Sequence, residues 1–379
     1  MKPQLTVLMA VYNGGDYLKS SIKSILDQTY KDFELLIVND CSTDDTVKLI
    51  ESFADERIRL HHNQMNMGQT KSLNEGLRLA KYDWVARMDA DDIALEHWLE
   101  CQADFIEAHP DYAVVSCDAI IIDRKGHIKS RYPVPSEMDD IILRSFFKSP
   151  VNHVGSVINR KGALALGGYD EQYRTVADYD LWKKMILNHE RLSSSGQTCL
   201  AIRRHEESFS FTDLGADYFR QIAQITSPII AAYSSCAQSQ EKLIYLLRSL
   251  YTPRGMSEAE FEASEQYLHD IYEHIETEKF VEPAKIKAWS KKFGRELILK
   301  RIQAQIEEKN YPALRKAAKL GMRRNGSLSI FTLFYILSPL GSIVLKFVPK
   351  FYYTILKLKT LLSARQETLN RFKKISISG

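Results

Sequence analysis

The sequence predicts an α/β fold with a mostly parallel sheet, followed by a helical C-terminal region. In the first part of the chain, short apolar runs alternate with patterns of helical spacing, which is typical of strand–helix–strand units. From about residue 211 to about residue 324 the pattern is helical, with few Gly or Pro. The length of 379 residues and the hydrophobic content of 45% suit a globular chain with more than one domain.

Four short apolar runs are predicted to be buried strands of one sheet. These runs are residues 5–11, 33–38, 57–61 and 84–88. Apolar side chains at helical spacing lie between them, for example Leu18, Ile22 and Ile25 after the first run. Strands connected through helices by right-handed crossovers are parallel. Residues 113–128 predict a hairpin whose turn is Arg124-Lys125-Gly126.

Polar segments follow three of the predicted strands directly. They are Tyr12-Asn13-Gly14-Gly15, residues 39–45 and Asp89-Ala90-Asp91-Asp92. Ligands of parallel sheets bind beyond the carboxyl ends of the strands. We therefore expect the three segments to meet at one edge of the sheet.

The aspartates after the fourth strand, Asp89, Asp91 and Asp92, are candidate metal ligands. Like charges placed together cost stability unless a cation neutralises them. Carboxylate oxygens suit Mg²⁺ or Mn²⁺, which commonly carries a diphosphate and acts on it as a Lewis acid. The alternative is a solvated turn with helix-capping aspartates.

Asp40, at the end of the second strand, allows two interpretations that the sequence leaves open. It can be a helix-capping residue together with Ser42 and Thr43. It can equally accept a hydrogen bond from a nucleobase N–H.

A set of short motifs, in one order from about Leu5 to Ser210, resembles glycosyltransferase family 2. The motifs of the first half are Val7-Leu8-Met9-Ala10-Val11-Tyr12-Asn13, Asn39-Asp40-Cys41-Ser42-Thr43-Asp44-Asp45-Thr46, Asn66-Met67-Gly68, Asn74-Glu75-Gly76-Leu77 and Ala86-Arg87-Met88-Asp89-Ala90-Asp91-Asp92. Those of the second half are His153-Val154-Gly155-Ser156-Val157, Gly167-Gly168-Tyr169-Asp170-Glu171, Asp178-Tyr179-Asp180-Leu181-Trp182 and Arg203-Arg204-His205. Each motif alone is moderately specific, whereas the ordered set is very specific.

The resemblance implies a GT-A fold, an inverting mechanism, a nucleotide diphosphate sugar as donor and Mn²⁺ or Mg²⁺ as cofactor. UDP is the expected nucleotide because it is the most frequent in the family. The implied nucleotide and donor contacts are Ala10, Tyr12, Asn13, Asp40, Lys71, Asp89, Arg203 and Arg204. The implied metal ligands are Asp89, Asp91 and His205. We expect Asp91 to contact the metal directly, and Asp92 could substitute for it.

Inversion at a sugar carbon needs a carboxylate that takes the proton of the acceptor hydroxyl. Asp178 and Asp180 are the candidates, and two residues apart on a helix they point in different directions. The resemblance favours Asp178, and Asp180 is better explained as a first-turn helix aspartate. His153, Asp180 and Trp182 are expected on the acceptor side. The alternatives are a structural histidine and, for Trp182, a core residue of an amphipathic helix.

The chain departs from the family pattern at two of these motifs. The family often has two acidic residues and a Gly where this chain has Asn39, Asp40 and Cys41. It often has Glu where Ala177 precedes Asp178. A carboxylate beside the candidate base is therefore missing, and the pKa of Asp178 is expected to differ.

The C-terminal tail is strongly basic. From Lys309 onward there are 14 Lys or Arg and one acidic residue, so the tail carries +13 and the rest of the chain −10. Residues 325–345 hold no charge, but Pro339 and Gly341 interrupt them. Apolar residues flanked by cations predict an anchor that lies on an anionic membrane surface. A helical hairpin packed on the body or on another subunit is the alternative, and a membrane span ranks third.

We therefore divide the chain into residues 1–215, a glycosyltransferase domain, residues 216–324, a helical region, and residues 325–379, a membrane-associating tail. No signal-peptide pattern is found at the N-terminus, and the five cysteines form no C-x-x-C pair, which favours a reducing, cytoplasmic compartment. The expected location is the cytoplasmic face of the membrane. The expected acceptor is a saccharide or a lipid-linked molecule, in the synthesis of cell-surface polysaccharide, lipopolysaccharide or glycolipid. No nucleic-acid partner is expected, and the oligomeric state is left open.

Two other functions compete with this one. A nucleotidyltransferase would carry Lys or Arg in the loop after the first strand, and residues 10–16 have neither. A sugar-nucleotide-binding scaffold without catalysis would be expected to have lost Asp91 or Asp178, and both are present.

Overall fold

The computed structural model describes residues 2–204, 215–277, 282–308 and 317–318. The chain divides into two compact units, Met1–Thr212 and Asp213–Gly379. The predicted division into three segments stays a prediction, and its second boundary, after residue 324, lies outside the described residues.

The first unit is built on a mixed sheet with nine strands among residues 2–204. The strands are β1 Leu5–Val11, β2 Phe33–Asn39, β3 Ile58–His62, β4 Trp84–Met88, β5 Ile93–Ala94, β6 Tyr112–Ile122, β7 Ile128–Tyr132, β8 Val157–Asn159 and β9 Arg191–Arg203. Their order is β3-β2-β1-β4-β8-β6-β9-β5, and β7 pairs with β6.

The parallel arrangement predicted for the first four strands is confirmed, since β1 pairs in parallel with β2 and β4, and β2 with β3. Beyond β4 the sheet is mixed. Strand β8 is antiparallel to both β4 and β6, and β6 pairs in parallel with β9. Every residue of β1 and β2 is buried, which is why both strands are apolar apart from Thr6, Glu34 and Asn39.

Helices of the first unit connect these strands. They are α1 Leu18–Leu26, α2 Thr46–Glu51, α3 Gln69–Leu79, α4 Trp98–Ala108, α5 Met138–Ser145, α6 Arg160–Ala165 and α7 Ala177–Leu187. Helix α3 packs on β1 and β2, and α4 packs on β6 and β9. A Cβ atom on Gly76 would lie 2.2 Å from Leu8 Cδ1, so α3 can approach β1 this closely only with glycine at that position.

The predicted hairpin is formed by β6 and β7, with the turn at the expected Arg124-Lys125-Gly126. Strand β6 is longer than the hairpin requires because its first half pairs with β8 and its whole length with β9. The hairpin is therefore part of the central sheet.

The second unit contains the predicted helices. They are α8 Ala216–Tyr233, α9 Gln240–Tyr251, α10 Glu258–Glu273 and α11 Pro283–Glu307. Helix α10 begins at a capping box formed by Ser257 and Glu260. Within the described part of the chain, no helix has both the length and the apolar character needed to cross a bilayer. The predicted anchor at residues 325–379 lies outside the described residues.

Candidate active site

The three aspartates after β4 form a compact carboxylate cluster. One carboxylate oxygen from each of Asp89, Asp91 and Asp92 lies within 4.8 Å of the other two. Asp89 and Asp91 are half-buried, whereas Asp92 is buried and its Oδ1 accepts a hydrogen bond of 2.7 Å from the Arg203 N–H. Burial, and then the charges of Asp91 and Asp89, raise the pKa of Asp92 well above its ordinary value. Asp92 therefore ties the turn to β9, and Asp89 and Asp91 form its open side.

A buried arginine, Arg87, lies directly behind this cluster on β4. Its guanidinium forms an ion pair with Asp89 and donates to the Met88 carbonyl, although only 1% of its surface is exposed. The sequence did not single out Arg87, because one cation within an apolar run gives no signal beyond that of the strand. The close pairing with a candidate metal ligand makes it a component of the site.

Arg203, at the end of β9, braces the aspartate turn. Its Nε donates to the Asp91 carbonyl at 3.0 Å, and its Nη1 donates to the carbonyls of Asp123 and Arg124 at 3.2 Å each. The guanidinium carbon lies 4.4 Å from the centroid of the Tyr17 ring. Main-chain carbonyls thus accept three hydrogen bonds from the Arg203 guanidinium, and its expected contact with the diphosphate stays a prediction.

Of the two residues after Arg203, the structure describes Arg204 but not His205. The side chain of Arg204 is exposed to solvent. Its main-chain N–H donates to the Ile122 carbonyl at 2.9 Å. His205, the third predicted metal ligand, lies outside the described residues.

Asp40, at the end of β2, holds the loop that leads into α3. Its carboxylate accepts hydrogen bonds of 2.8 Å from Asn63 Nδ2 and from the main-chain N–H groups of Met67 and Gly68. Only 3% of Asp40 is exposed. These bonds give Asp40 a loop-fixing role that is neither of the two interpretations from sequence, and a contact with the nucleobase stays a prediction.

The loops after β1 and β2 are joined through Asn13, whose φ of 50° is left-handed. The Asn13 N–H donates to Ser42 Oγ at 3.0 Å, and Asn13 Oδ1 accepts from the Thr43 N–H at 2.9 Å. Asparagine tolerates this conformation better than most residues do. Of the other predicted donor contacts, Ala10 is buried in β1, Tyr12, directly after β1, is 50% exposed, and Lys71 in α3 is exposed.

A chain of contacts links these loops to the aspartate turn. Gly68, which donates to Asp40, precedes Gln69, and Gln69 Nε2 donates to Asp89 Oδ1 at 3.3 Å. From α1, Ser21 Oγ donates to the Asp89 carbonyl at 2.9 Å. The three polar segments thus meet at one edge of the sheet, as expected. Gln69 was not predicted, and its place in the first turn of α3 is visible only in three dimensions.

Asp178, the predicted base, lies in the first turn of α7 and is half-buried. Ser149 Oγ donates to its Oδ2 at 3.4 Å. Burial raises the pKa of Asp178 to about 6, and the negative charge of Asp89 adds to this effect. A carboxylate in this state is ionised at neutral pH and still basic enough to accept a proton.

Asp180 lies on the buried side of the same helix and is 0% exposed. It forms an ion pair of 2.9 Å with Lys184 and a second ion pair with Lys183. The expected acceptor-side position of Asp180 is therefore wrong, because its carboxylate is enclosed and neutralised within α7. The alternative of a structural aspartate accounts for it.

The other two acceptor-side candidates, His153 and Trp182, pack against each other. Trp182 is 0% exposed, which excludes a stacking contact with a sugar ring and makes it a core residue. His153 Nε2 is 2.8 Å from the Tyr169 hydroxyl, and its ring centroid lies 6.3 Å from that of Trp182. Burial, and then the charge of Arg87, lower the pKa of His153 well below its ordinary value, so the imidazole is neutral.

Asn74 is a third residue, after Arg87 and Gln69, whose role the sequence did not show. Its Oδ1 accepts from the Tyr169 N–H at 2.9 Å, and its Nδ2 donates to the Tyr169 carbonyl at 2.8 Å. A Cβ on Gly168, where φ is +69°, would lie 2.6 Å from Asn74 Oδ1. The motif that begins at Asn74 and the motif that contains Gly168 and Tyr169 are therefore in contact with each other, between α3 and the segment before α7.

Comparison with known proteins identifies the family of the chain. The family model described as "Glycosyl transferase family 2" matches residues 6–165. Glycosyltransferase EpsE of Bacillus subtilis (strain 168) is 33% identical over 219 residues, which cover 55% of this chain and 77% of EpsE. The chain belongs to glycosyltransferase family 2.

Two further relatives of this glycosyltransferase are informative. The amylovoran biosynthesis glycosyltransferase AmsE of Erwinia amylovora is 30% identical over 190 residues, covering 48% of this chain and 70% of AmsE. Glycosyltransferase MJ1057 of Methanocaldococcus jannaschii is 33% identical over 192 residues, covering 49% of this chain and 66% of MJ1057. Each of these three sequence relatives matches about half of this chain.

Solved structures show the fold of this glycosyltransferase. TarS 1–349 of S. aureus, solved in complex with UDP-GlcNAc, matches with a TM-score of 0.52 and 17% identity. The match covers 86% of this chain and 93% of TarS 1–349. A second crystal structure of TarS 1–349 gives a TM-score of 0.51. The GT-A fold predicted from the motifs is thereby confirmed, together with the C-terminal helices.

Proposed function

We propose that this glycosyltransferase transfers a sugar from a nucleotide diphosphate sugar to an acceptor hydroxyl, with inversion and with the help of a divalent metal ion. The observation that carries the proposal is the convergence of two carboxylate groups on one edge of the sheet. The half-buried Asp89 and Asp91 follow β4, and Asp178, from α7, is near enough for the charge of Asp89 to raise its pKa. The proposed donor site and the proposed base are thus within electrostatic reach of each other.

The carboxylate cluster fits a hard divalent cation. Three carboxylates with oxygens within 4.8 Å of one another are the oxygen donor set that Mn²⁺ or Mg²⁺ takes. Asp91 and Asp89 would hold the ion, since Asp92 is engaged with the main chain of Arg203. When bound, the ion supplies Lewis-acid stabilisation of the departing diphosphate.

Asp178 is assigned the role of general base. The acceptor oxygen attacks the anomeric carbon while its proton passes to the Asp178 carboxylate. The bond between that carbon and the diphosphate oxygen breaks on the opposite face, and the nucleotide diphosphate leaves with the bonding electrons. The configuration at the anomeric carbon is inverted, and Asp178 afterwards releases the proton to water.

For the substrates we propose a UDP-sugar and a saccharide or lipid-linked acceptor. TarS was solved with UDP-GlcNAc, which makes this the first donor to test. AmsE is named for amylovoran biosynthesis, so cell-surface polysaccharide is the first acceptor class to test. The basic tail, from Lys309 onward, would hold the enzyme on the cytoplasmic face of a membrane, where a lipid-linked acceptor is within reach.

The test is a screen of nucleotide sugars with Mn²⁺ or Mg²⁺ that measures released nucleotide diphosphate. We expect release with at least one UDP-sugar, loss of release in excess chelator, and recovery when metal is restored. Asp91→Asn should remove most turnover, whereas the control Asp104→Asn should not. Asp104 is a surface carboxylate that pairs with Lys2 at 2.5 Å. Full activity in excess chelator would contradict metal dependence.

A further inference from the structure

Arg87 is a permanent positive charge in the layer behind the carboxylate cluster. It is 1% exposed, and burying an arginine is costly unless charges and hydrogen-bond acceptors compensate for it. Its guanidinium reaches one candidate metal ligand, Asp89, and one carbonyl, that of Met88. Among the described residues, no hydrogen-bond partner lies against its Nε.

The backbone of Arg87 is fixed as firmly as its side chain. The Arg87 N–H donates to the Ser156 carbonyl at 2.8 Å, and the Gly155 N–H donates to the Arg87 carbonyl at 2.8 Å. The Gly155 carbonyl in turn accepts from Trp98 Nε1 at 3.0 Å. The main chain of Arg87 is therefore fixed, and burial leaves its guanidinium little room to move away from Asp89.

The titratable groups whose pKa the Arg87 charge lowers lie on several elements. They are Asp92 in the same turn as Asp89, His153 beside the turn before β8, and Tyr169 before α7. His153 and Tyr169 are hydrogen-bonded to each other and carry no charge of their own that could offset Arg87. The compensation for Arg87 therefore comes from the aspartates.

We propose that Arg87 is a positioning residue that acts as an internal counter-ion: it orients Asp89 and weakens the binding of a divalent ion to the aspartates while no nucleotide is present. This inference rests on the proposed function. Asp89 Oδ1 is shared between Arg87 and Gln69, so the ion has to share that carboxylate with a fixed cation. The ion is then held well only when the diphosphate supplies further negative charge, and metal and nucleotide bind cooperatively.

The size of the effect follows from the charges. A unit charge a few ångströms from a divalent ion, at the effective dielectric of a protein surface, changes a binding constant by about tenfold or more. Removing the charge of Arg87 should therefore strengthen the binding of Mn²⁺ alone. Because the Arg87 charge also attracts the diphosphate, the factor by which UDP improves Mn²⁺ binding should fall, and by reciprocity the effect of Mn²⁺ on UDP binding should fall equally. Loss of an ordinary structural contact would weaken Mn²⁺ binding instead.

The experiment is calorimetric titration of the full chain with Mn²⁺ at pH 7.5, without and with saturating UDP. The variants are Arg87→Met and Arg87→Gln, which remove the charge, and Arg87→Lys, which keeps it. Arg87→Gln retains a donor for the Met88 carbonyl, so it keeps the fold if the methionine variant does not. The control is Arg59→Met, which removes the same charge from an ion pair with Glu34 of 3.0 Å.

We expect the neutral variants to bind Mn²⁺ alone about tenfold or more tightly than the wild type, while Arg87→Lys and Arg59→Met stay close to it. Sugar transfer by the neutral variants should fall at the same time, because Asp89 is no longer oriented. Unchanged or weaker Mn²⁺ binding by a folded neutral variant overturns the inference. The proposed function would survive that result if the wild type binds Mn²⁺ in the presence of UDP and Asp91→Asn abolishes this binding. If the wild type binds Mn²⁺ under neither condition, both are wrong.

Discussion

Asp178 lies where burial and the charge of Asp89 act in the same direction, and its pKa is raised to about 6. The ionised form is the one that accepts a proton, so activity depends on the fraction of Asp178 that is deprotonated. We predict that kcat/KM falls about tenfold for each pH unit below about 6 and is level above about 7. A pH profile of the purified enzyme checks this; a profile that stays level down to pH 4.5 would exclude Asp178 as the base.

Asp178→Asn should separate catalysis from donor binding. We predict a fall in the transfer rate of roughly a hundredfold or more, in line with general-base contributions, while UDP binding is kept. Single-turnover rates and UDP titration are the measurements, and NMR of the new linkage should show inversion. The comparison is Asp180→Asn, which breaks the ion pairs with Lys183 and Lys184 and should lower stability rather than the chemical step. The assignment is wrong if Asp178→Asn retains full transfer activity.

The same substitution should stabilise the fold. The pKa of Asp178 is higher in the folded chain than its ordinary value of 3.8, so the folded state loses stability as pH rises from about 4 to about 6. Above that window the cost is fully present, on the order of 1 kcal/mol or more. Asp178→Asn should thus raise the melting temperature at pH 8 and leave it nearly unchanged at pH 3.5. An equal shift at both pH values would point to a cause other than ionisation.

At the scale of elements, the close approach of α3 to β1 depends on Gly76. A methyl group there would lie 2.2 Å from Leu8 Cδ1, so Gly76→Ala should destabilise the protein by about 1–3 kcal/mol despite the better helix propensity of alanine. Urea unfolding measures this difference. The matched control is Gly162→Ala in α6, where the nearest atom is 3.6 Å from the added Cβ and no loss is expected.

Strands with a dense apolar run could be predicted from sequence, whereas a long strand rich in serine and threonine could not. Strands β1 and β4 begin and end where their apolar runs do. Strand β9 was missed because it contains Ser193, Ser194 and Thr198, which are spread along its pairing with β6. A serine in a buried strand gives the pattern of a loop, and the pairing that makes it a strand involves residues distant in sequence.

Some site residues are likewise indicated by the sequence, whereas the roles of others depend on tertiary contacts. Asp89, Asp91 and Asp178 could be proposed as site residues because clustered carboxylates and an ordered set of motifs point to them, and their roles stay predictions. The enclosure of Asp180 and the use of Arg203 as a brace could not be found, since both depend on which neighbours fold against them. Helical spacing alone did not decide which side of α7 faces the site.

For the whole molecule, the charge difference between its parts leads to a prediction about membranes. The chain from Lys309 onward carries +13 and the rest −10. Each Lys or Arg near an anionic surface contributes about 1 kcal/mol to binding, and apolar side chains add to it. The full chain should therefore sediment with liposomes containing anionic lipid, less so in high salt.

A truncation separates this attachment from catalysis. A chain that ends before Ser327 lacks the uncharged stretch and should remain in the supernatant, while hydrolysis of the donor stays measurable. Neutral liposomes are the control for the first measurement. If the full chain stays in solution with anionic liposomes at low salt, the tail is a packing or oligomerisation element.

The bond from the Arg203 N–H to Asp92 spans 111 residues of sequence, and its consequence concerns synthesis on the ribosome. The aspartate turn emerges early, but strand β5, which follows it, has only β9 to pair with among the described residues. A nascent chain therefore carries the candidate metal ligands Asp91 and Asp92 before β9 is made and Arg203 can brace them. A product truncated before β9 would keep the three aspartates but lack the Arg203 contacts to Asp91 and Asp92.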